Sequence, residues 1–218
     1  MYRIVFLLLS SFYLFCCIGC KEKTDVPIFL PYYNEPDFTP HFIKNKDDVA
    51  KLIPHKIDDF SFLNQDSLVI DQKTIMGKIH VANFIFTSCG SICPVMTQHM
   101  KMISDSLKNN SDIVYLSYSV TPWIDKPYVL SNYKKRNEIN NTNWHFLTGN
   151  KAAIYKLARQ SYFAEEDIGF SKDSTEFLHT EHFILVDKTR RIRGVYNGTL
   201  ALEMQLLIDD IKTLESED

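Results

Sequence analysis

Ile79-His80-Val81-Ala82-Asn83-Phe84-Ile85-Phe86 runs directly into Thr87-Ser88-Cys89-Gly90-Ser91-Ile92-Cys93-Pro94, and the reading of this stretch decides the fold. Apart from His80 and Asn83 the first half is apolar at both alternating sets of positions. That pattern predicts a central strand buried on both faces rather than a half-exposed one. Pro94 suits the first turn of a helix, where a missing N–H costs nothing. Met96, Met100, Ile103 and Leu107 then recur at i, i+4, i+7 and i+11, one apolar stripe on a helix running roughly from Pro94 to Leu107. A buried strand, a short loop with two cysteines and an amphipathic helix therefore follow one another without a break.

Working outward, the same alternation continues. Ile113 to Val120 predicts a second strand. Pro127 to about Asn137 predicts a helix with Leu130 and Tyr133 on its stripe and Tyr128 nearby. Trp144 to Leu147 reads as a short strand closed by Thr148-Gly149-Asn150, and Lys151 to Gln160 as a helix. Tyr162 to Leu178 is irregular. Phe183 to Val186 and Ile192 to Tyr196 are strands joined through Asp187-Lys188-Thr189-Arg190. After the Asn197-Gly198 turn, a last helix carries Met204, Leu207, Ile208, Ile211 and Leu214 on one face. Upstream, Phe60 to Leu63 and Leu68 to Ile70 predict an N-terminal hairpin across Asn64-Gln65-Asp66. Strands alternating with helices give an α/β class, a central mixed sheet with helices on both faces. The late antiparallel strand pair and the closing helix fit a thioredoxin-like fold, while the strand order stays open.

The ends of the chain bound its compartment. Its 218 residues suit one domain with a leader and an arm, and a formal net charge of -3 without a Lys/Arg run argues against a nucleic-acid partner. Arg3 precedes Ile4 to Ile18, an almost unbroken apolar run too short to favour a spanning helix. The run ends in Cys17-Ile18-Gly19-Cys20, followed by Lys21-Glu22-Lys23. This resembles a bacterial lipobox, although Cys17 is not the usual residue at its start. The resemblance implies a signal peptide over 1–19, cleavage before Cys20, and lipidation of Cys20. The remainder would then sit in the cell envelope, a membrane-anchored lipoprotein with its domain outside the cytoplasm. Residues 20–57 are interrupted by Pro27, Pro31, Pro36, Pro40 and Pro54 and read as a tether or arm with extended segments that can pack on the domain. The folded domain is expected over 58–218.

With the leader and Cys20 set aside, Cys89 and Cys93 are the cysteines that remain. A disulfide between them would close only a tiny loop and add little chain-entropy stability. A chemical reason for the pair therefore outweighs a structural one. If the first turn of the helix reaches back to Cys89, the two sulfurs stand one turn apart, a separation that suits either a disulfide or a shared metal. The helix N-terminus offers free N–H groups and partial positive charge, both of which favour thiolate.

Phe86-Thr87-Ser88-Cys89-Gly90-Ser91-Ile92-Cys93-Pro94-Val95-Met96 resembles the CxxxCP segment of the SCO/SenC family of copper-binding, thioredoxin-like proteins. Ser117 to Pro122 is similar to that family's SVDP stretch, and Trp144-His145-Phe146-Leu147-Thr148-Gly149 to its W..LTG stretch. Leu178-His179-Thr180 followed by Phe183-Ile184-Leu185-Val186-Asp187 resembles the segment that carries its ligand histidine. The matches run from about Asp58 to Tyr196 in the family's order. The resemblance implies copper, Cu(I) or Cu(II), held by Cys89, Cys93 and His179. It also implies a role in maturing the CuA centre of cytochrome c oxidase, with the CuA subunit or another exported copper or thiol protein as partner. The soft donor set of two thiolates and an imidazole is consistent with copper; zinc would usually ask for a fourth donor.

Two features depart from the family. Thr121 occupies the acidic position of the SVDP stretch, which puts an acid-assisted step in doubt, and the family's membrane helix is replaced by the lipobox-like leader. Of the seven histidines, His41, His55, His80, His99 and His145 read as surface or hydrogen-bonded residues. His182 adjoins the strand too closely to compete well with His179. Met96 and Met100 read as core residues rather than ligands. An alternative function is an extracytoplasmic thiol–disulfide oxidoreductase, with Cys89 and Cys93 as a catalytic redox pair. Against it stand the spacing, longer than CxxC, and the lack of a proline within Leu178 to His182. The metallochaperone reading is therefore preferred to an enzyme.

Overall fold

The computed structural model describes residues 29–164 and 180–217. The expected leader, Cys20 and His179 lie outside the described residues.

The stretch Ile79 to Phe86 forms strand β5 (Ile79–Ile85), and every residue in it is buried. It lies inside one mixed sheet of nine strands. The strands are β1 (Tyr32–Tyr33), β2 (Pro40–His41), β3 (Ser61–Asn64), β4 (Val69–Asp71), β5, β6 (Ile113–Ser119), β7 (Trp144–Thr148), β8 (His182–Val186) and β9 (Ile192–Asn197), in the spatial order β2-β1-β9-β8-β5-β6-β7-β3-β4. β5, β6 and β7 run parallel, whereas β8 is antiparallel to both β5 and β9. The predicted hairpin is β3–β4, with Phe62 opposite Ile70, joined to the sheet through β7. Fully buried β5 and β6 explain the nearly continuous apolar runs in the sequence, because helices cover both faces.

Alternation along the strands sorts the core into two layers. Ile79, Val81 and Ile85 of β5, with Ile113, Tyr115, Trp144 and Phe146, face α3 (Ile92–Ser106), α4 (Pro127–Arg136) and α6 (Ala201–Ser216). Ala82 and Phe84, with Val114, Leu116 and Tyr118, face α5 (Lys151–Lys156) and the hairpin side chains Phe60, Phe62 and Ile70. The predicted stripe of α3 is borne out: Met96, Met100 and Ile103 are fully buried.

Two sequence expectations need correction. The helix expected over Lys151 to Gln160 is α-helical only to Lys156 and then widens into a π turn, Leu157–Ser161. The wider turn buries Ala158 and Ser161, and Ser161 receives the His55 ring and the Asp58 N–H. The arm expected over 20–57 is, from residue 29 onward, built into the sheet and its edge. β1 pairs with β9, α1 (Lys46–Leu52) buries Val49, and α2 (Gln72–Ile75) follows the hairpin. Ile53 and Ile57 have no exposed surface. The prolines cut this stretch into pieces too short to show a period. What pins them is distant: Arg191 Nε donates to Ile53 O at 2.8 Å, and Arg193 donates to Leu30 O at 2.8 Å and Pro31 O at 3.0 Å. Arg193 is itself buried and paired with Asp187 and Glu217. Among the described residues no helix is long and apolar enough to cross a membrane.

Candidate metal centre

Cys89 and Cys93 sit where β5 ends and α3 begins. The N–H of Cys89 donates to Phe86 O at 3.2 Å, turning the chain immediately after the strand. Ser91 stands at the N-cap of α3 but makes no side-chain capping bond. The first-turn donors are thus left free of the usual side-chain acceptor. The Cys89 sulfur lies 3.8 Å from Ser91 Oγ, and the N–H groups of Cys93 and Ser91 favour its ionised form. The two cysteines are free thiols, Cys89 half-buried and Cys93 buried.

Their ionisation is asymmetric. Burial opposes the Cys89 thiolate, but hydrogen bonds from the Cys93 and Ser91 N–H groups and from those residues' side chains outweigh it. Its pKa is lowered to about 7. Burial dominates at Cys93; the Phe86 backbone works against it, while Cys89 and Asp125 add to it, and the thiol is pushed up to about 12. One reactive thiolate near neutral pH, backed by one neutral buried thiol, follows from helix-terminus chemistry. Alkylation of the copper-free protein with iodoacetamide should therefore rise through a midpoint near pH 7 and modify Cys89 alone. Peptide mass mapping checks both, and a midpoint above pH 8.5 or equal labelling of Cys93 would contradict the asymmetry.

Beneath the cysteine loop lies a residue the sequence reading missed. Asp125, with no exposed surface, accepts four hydrogen bonds. They come from Thr87 Oγ1 at 2.5 Å, Thr87 N at 3.3 Å, Ser119 Oγ at 2.6 Å and Thr121 Oγ1 at 2.9 Å. Thr121 supplies no carboxylate, but it donates to one four residues further on. The signal was Asp125 set between Pro122 and Pro127, a loop whose burial no periodicity reveals.

The described histidines are engaged away from the thiols. His41 pairs with Glu35 at 2.8 Å, and His55 contacts Ser161 O at 2.8 Å while stacking on Phe163. His80 meets Tyr162 Oη at 3.1 Å, His99 meets Gly198 O at 2.8 Å, and His145 lies 3.5 Å from Asn64 Nδ2. His182 opens β8 with its ring edge-on to Phe38 at 5.9 Å, in the layer opposite the one that holds Cys93. Among the described residues no group of three or more His, Cys, Asp or Glu side chains is placed to hold a metal. Met96 and Met100 are spent in the core. His179 lies outside the described residues, but the backbone next to it is placed. β8 runs antiparallel to β5, with His80 opposite Val186 and Ala82 opposite Ile184. The chain therefore enters β8 at the same end of the sheet from which the cysteine loop leaves β5, and Thr180 is buried.

Comparison with known proteins gives this geometry a context. The SCO1/SenC family model matches residues 50–215. A SCO1 protein homolog of Bacillus subtilis is 32% identical over 161 residues, 73% of this chain and 82% of that protein. Among solved structures, a SCO1/SenC family lipoprotein of Bacillus anthracis aligns with a TM-score of 0.65 at 29% identity, covering 74% of this chain and 95% of that one. BsSco is described as a member of the Sco family of cytochrome c oxidase assembly proteins with a disulfide switch. It aligns at 0.63 and 30% identity, covering 75% and 95%. Arabidopsis thaliana ScoI with copper bound aligns at 0.56 and 25% identity, covering 73% and 98%. The fold, the family model and these relatives agree, and the chain belongs to the SCO1/SenC family.

Proposed function

We propose that this protein binds one copper ion through Cys89, Cys93 and His179 and delivers it to the CuA centre of cytochrome c oxidase. The observation that carries the reading is the thiol pair itself. Two soft donors stand where β5 gives way to the N-terminus of α3, and one of them ionises near neutral pH. Thiolate sulfur selects copper over harder metals. The entry of β8 beside the cysteine loop supports His179 as the third donor, since it immediately precedes the buried Thr180. The copper-bound Arabidopsis relative and the oxidase-assembly role of BsSco support the cargo and the destination. Copper is cargo here, and a Cys89–Cys93 disulfide would have no thiolate to offer it. We further propose that residues 1–19 are a signal peptide, that Cys20 carries the lipid anchor, and that the domain faces the periplasmic side of a membrane. The lipoprotein among the relatives supports that anchor.

A second reading is favoured by the thiol asymmetry. As a thiol–disulfide oxidoreductase, the Cys89 thiolate would attack a substrate disulfide and form a mixed disulfide, releasing one substrate thiol. Cys93 would then displace the second thiol, leaving the Cys89–Cys93 disulfide and a substrate reduced by two electrons. One experiment separates the two. One equivalent of Cu(II) added to the reduced full chain should produce a thiolate-to-copper absorption band, absent from the Cys89→Ser/Cys93→Ser double variant. If the band fails to form while copper-free protein reduces a model disulfide rapidly, the oxidoreductase reading replaces the carrier.

A further inference from the structure

Asp125 is a fully buried carboxylate that neither reading of the function uses. Its four donors come from two different parts of the site. Thr87 lies two residues before Cys89, in the loop leaving β5; Ser119 and Thr121 flank the end of β6. The parallel β5–β6 pairing ends at Ile85 opposite Ser119, so beyond that register the ladder no longer holds the two chains together. The Val120 N–H to Ile85 O bond, 2.9 Å, is the last backbone tie. Past it, the cysteine loop is fastened to the β6 end through Asp125.

We infer that Asp125 is the positioning residue of the cysteine pair: it locks the backbone before Cys89 against the end of β6. That hold acts on the dithiol–disulfide balance. A loop held in place loses less freedom when the disulfide closes, which favours the disulfide. The inference rests on the reading of Cys89 and Cys93 as the working pair, but it requires no copper.

The test is the equilibrium of copper-free full chain with glutathione. Cys89 and Cys93 thiols pass two electrons and two protons to glutathione disulfide, giving the protein disulfide and two molecules of glutathione. The variant is Asp125→Asn, which keeps the shape and replaces one acceptor oxygen with a donor. Its equilibrium constant at pH 7.5 should shift about tenfold toward the dithiol, about 30 mV for this two-electron couple. Acid-quenched thiol labelling and mass measurement read the populations. A folded Asp125→Asn protein whose constant stays within twofold of wild type, or moves toward the disulfide, overturns the inference even if its melting temperature falls. Thr87→Val removes a single donor and keeps the carboxylate, so it decides the matter should Asp125→Asn fail to fold. It should move the constant in the same direction by about threefold, and an unchanged constant counts against Asp125. Copper uptake by the wild type, measured separately, bears on the function of the pair and not on the ratio between variant and wild type.

Discussion

Replacing either Cys89 or Cys93 with serine should weaken copper binding more than about a hundredfold, beyond the 10–100-fold cost of losing a mere supporting partner of a metal ligand. Each substitution removes one of the two soft donors, and a hydroxyl is a poor substitute for thiolate toward copper. The two variants should nevertheless differ in stability. Cys93 is buried within the layer formed by Met96, Met100 and the sheet. A serine there buries a hydroxyl in apolar surroundings, which costs about 1–3 kcal/mol unless it finds a partner. Cys89 is half-buried at the mouth of the loop, so Cys89→Ser should melt within a degree or two of wild type. Competition titration against a chelator reads the affinity, and thermal melting reads the fold. Either serine variant retaining wild-type affinity would remove that cysteine from the site.

Acid should unfold this domain through a histidine that has no part in metal binding. His80 lies in the middle of the sheet on the face opposite the Cys93 layer, fully buried, with Nε2 at 3.1 Å from Tyr162 Oη. Its Nδ1 finds no partner among the described residues. Burial, with a smaller push from Arg190, lowers its pKa from 6.5 to about 3. In the unfolded chain the same imidazole takes up a proton at about pH 6.5. Between those values the unfolded state holds the extra proton, so stability is full above pH 6.5 and falls as the pH drops toward 3. At 1.36 kcal/mol per unit the loss approaches about 5 kcal/mol, comparable with the whole stability of a small domain. His145, whose pKa burial lowers to about 4, adds in the same direction. Urea midpoints measured from pH 7.5 down to 4 should fall steadily in the wild type and markedly less in His80→Leu. Equal slopes in the two proteins would mean that acid acts elsewhere.

The sequence exposed the parts of this molecule whose signals are local. The buried run from Ile79 and the stripe of Met96, Met100 and Ile103 each carry a period set by their own element, and the structure keeps both. The cysteine pair was legible because the residue types and the spacing state their own chemistry. What escaped depends on partners far away in the chain. Asp125 looks like any loop aspartate until Thr87, Ser119 and Thr121 are seen converging on it. The segment from residue 29 to Ile57 looks like a proline-broken tether until Arg191 and Arg193, some 140–160 residues later, are seen holding Ile53, Pro31 and Leu30. The π turn after Lys156 is dictated by what Ser161 and Ala158 must meet, and no pattern in Lys151 to Gln160 announces it. His179 is legible only through the resemblance of Leu178-His179-Thr180 to the family's ligand segment, and it lies outside the described residues.

The central claim is that two thiolates and one imidazole share a single copper ion. X-ray absorption at the copper edge of the full chain loaded with one equivalent tests it most directly. Two sulfur neighbours and one imidazole are expected, with the imidazole lost in His179→Ala and both sulfurs lost in Cys89→Ser/Cys93→Ser. A coordination shell of nitrogen and oxygen alone, or one unchanged by His179→Ala, would contradict it.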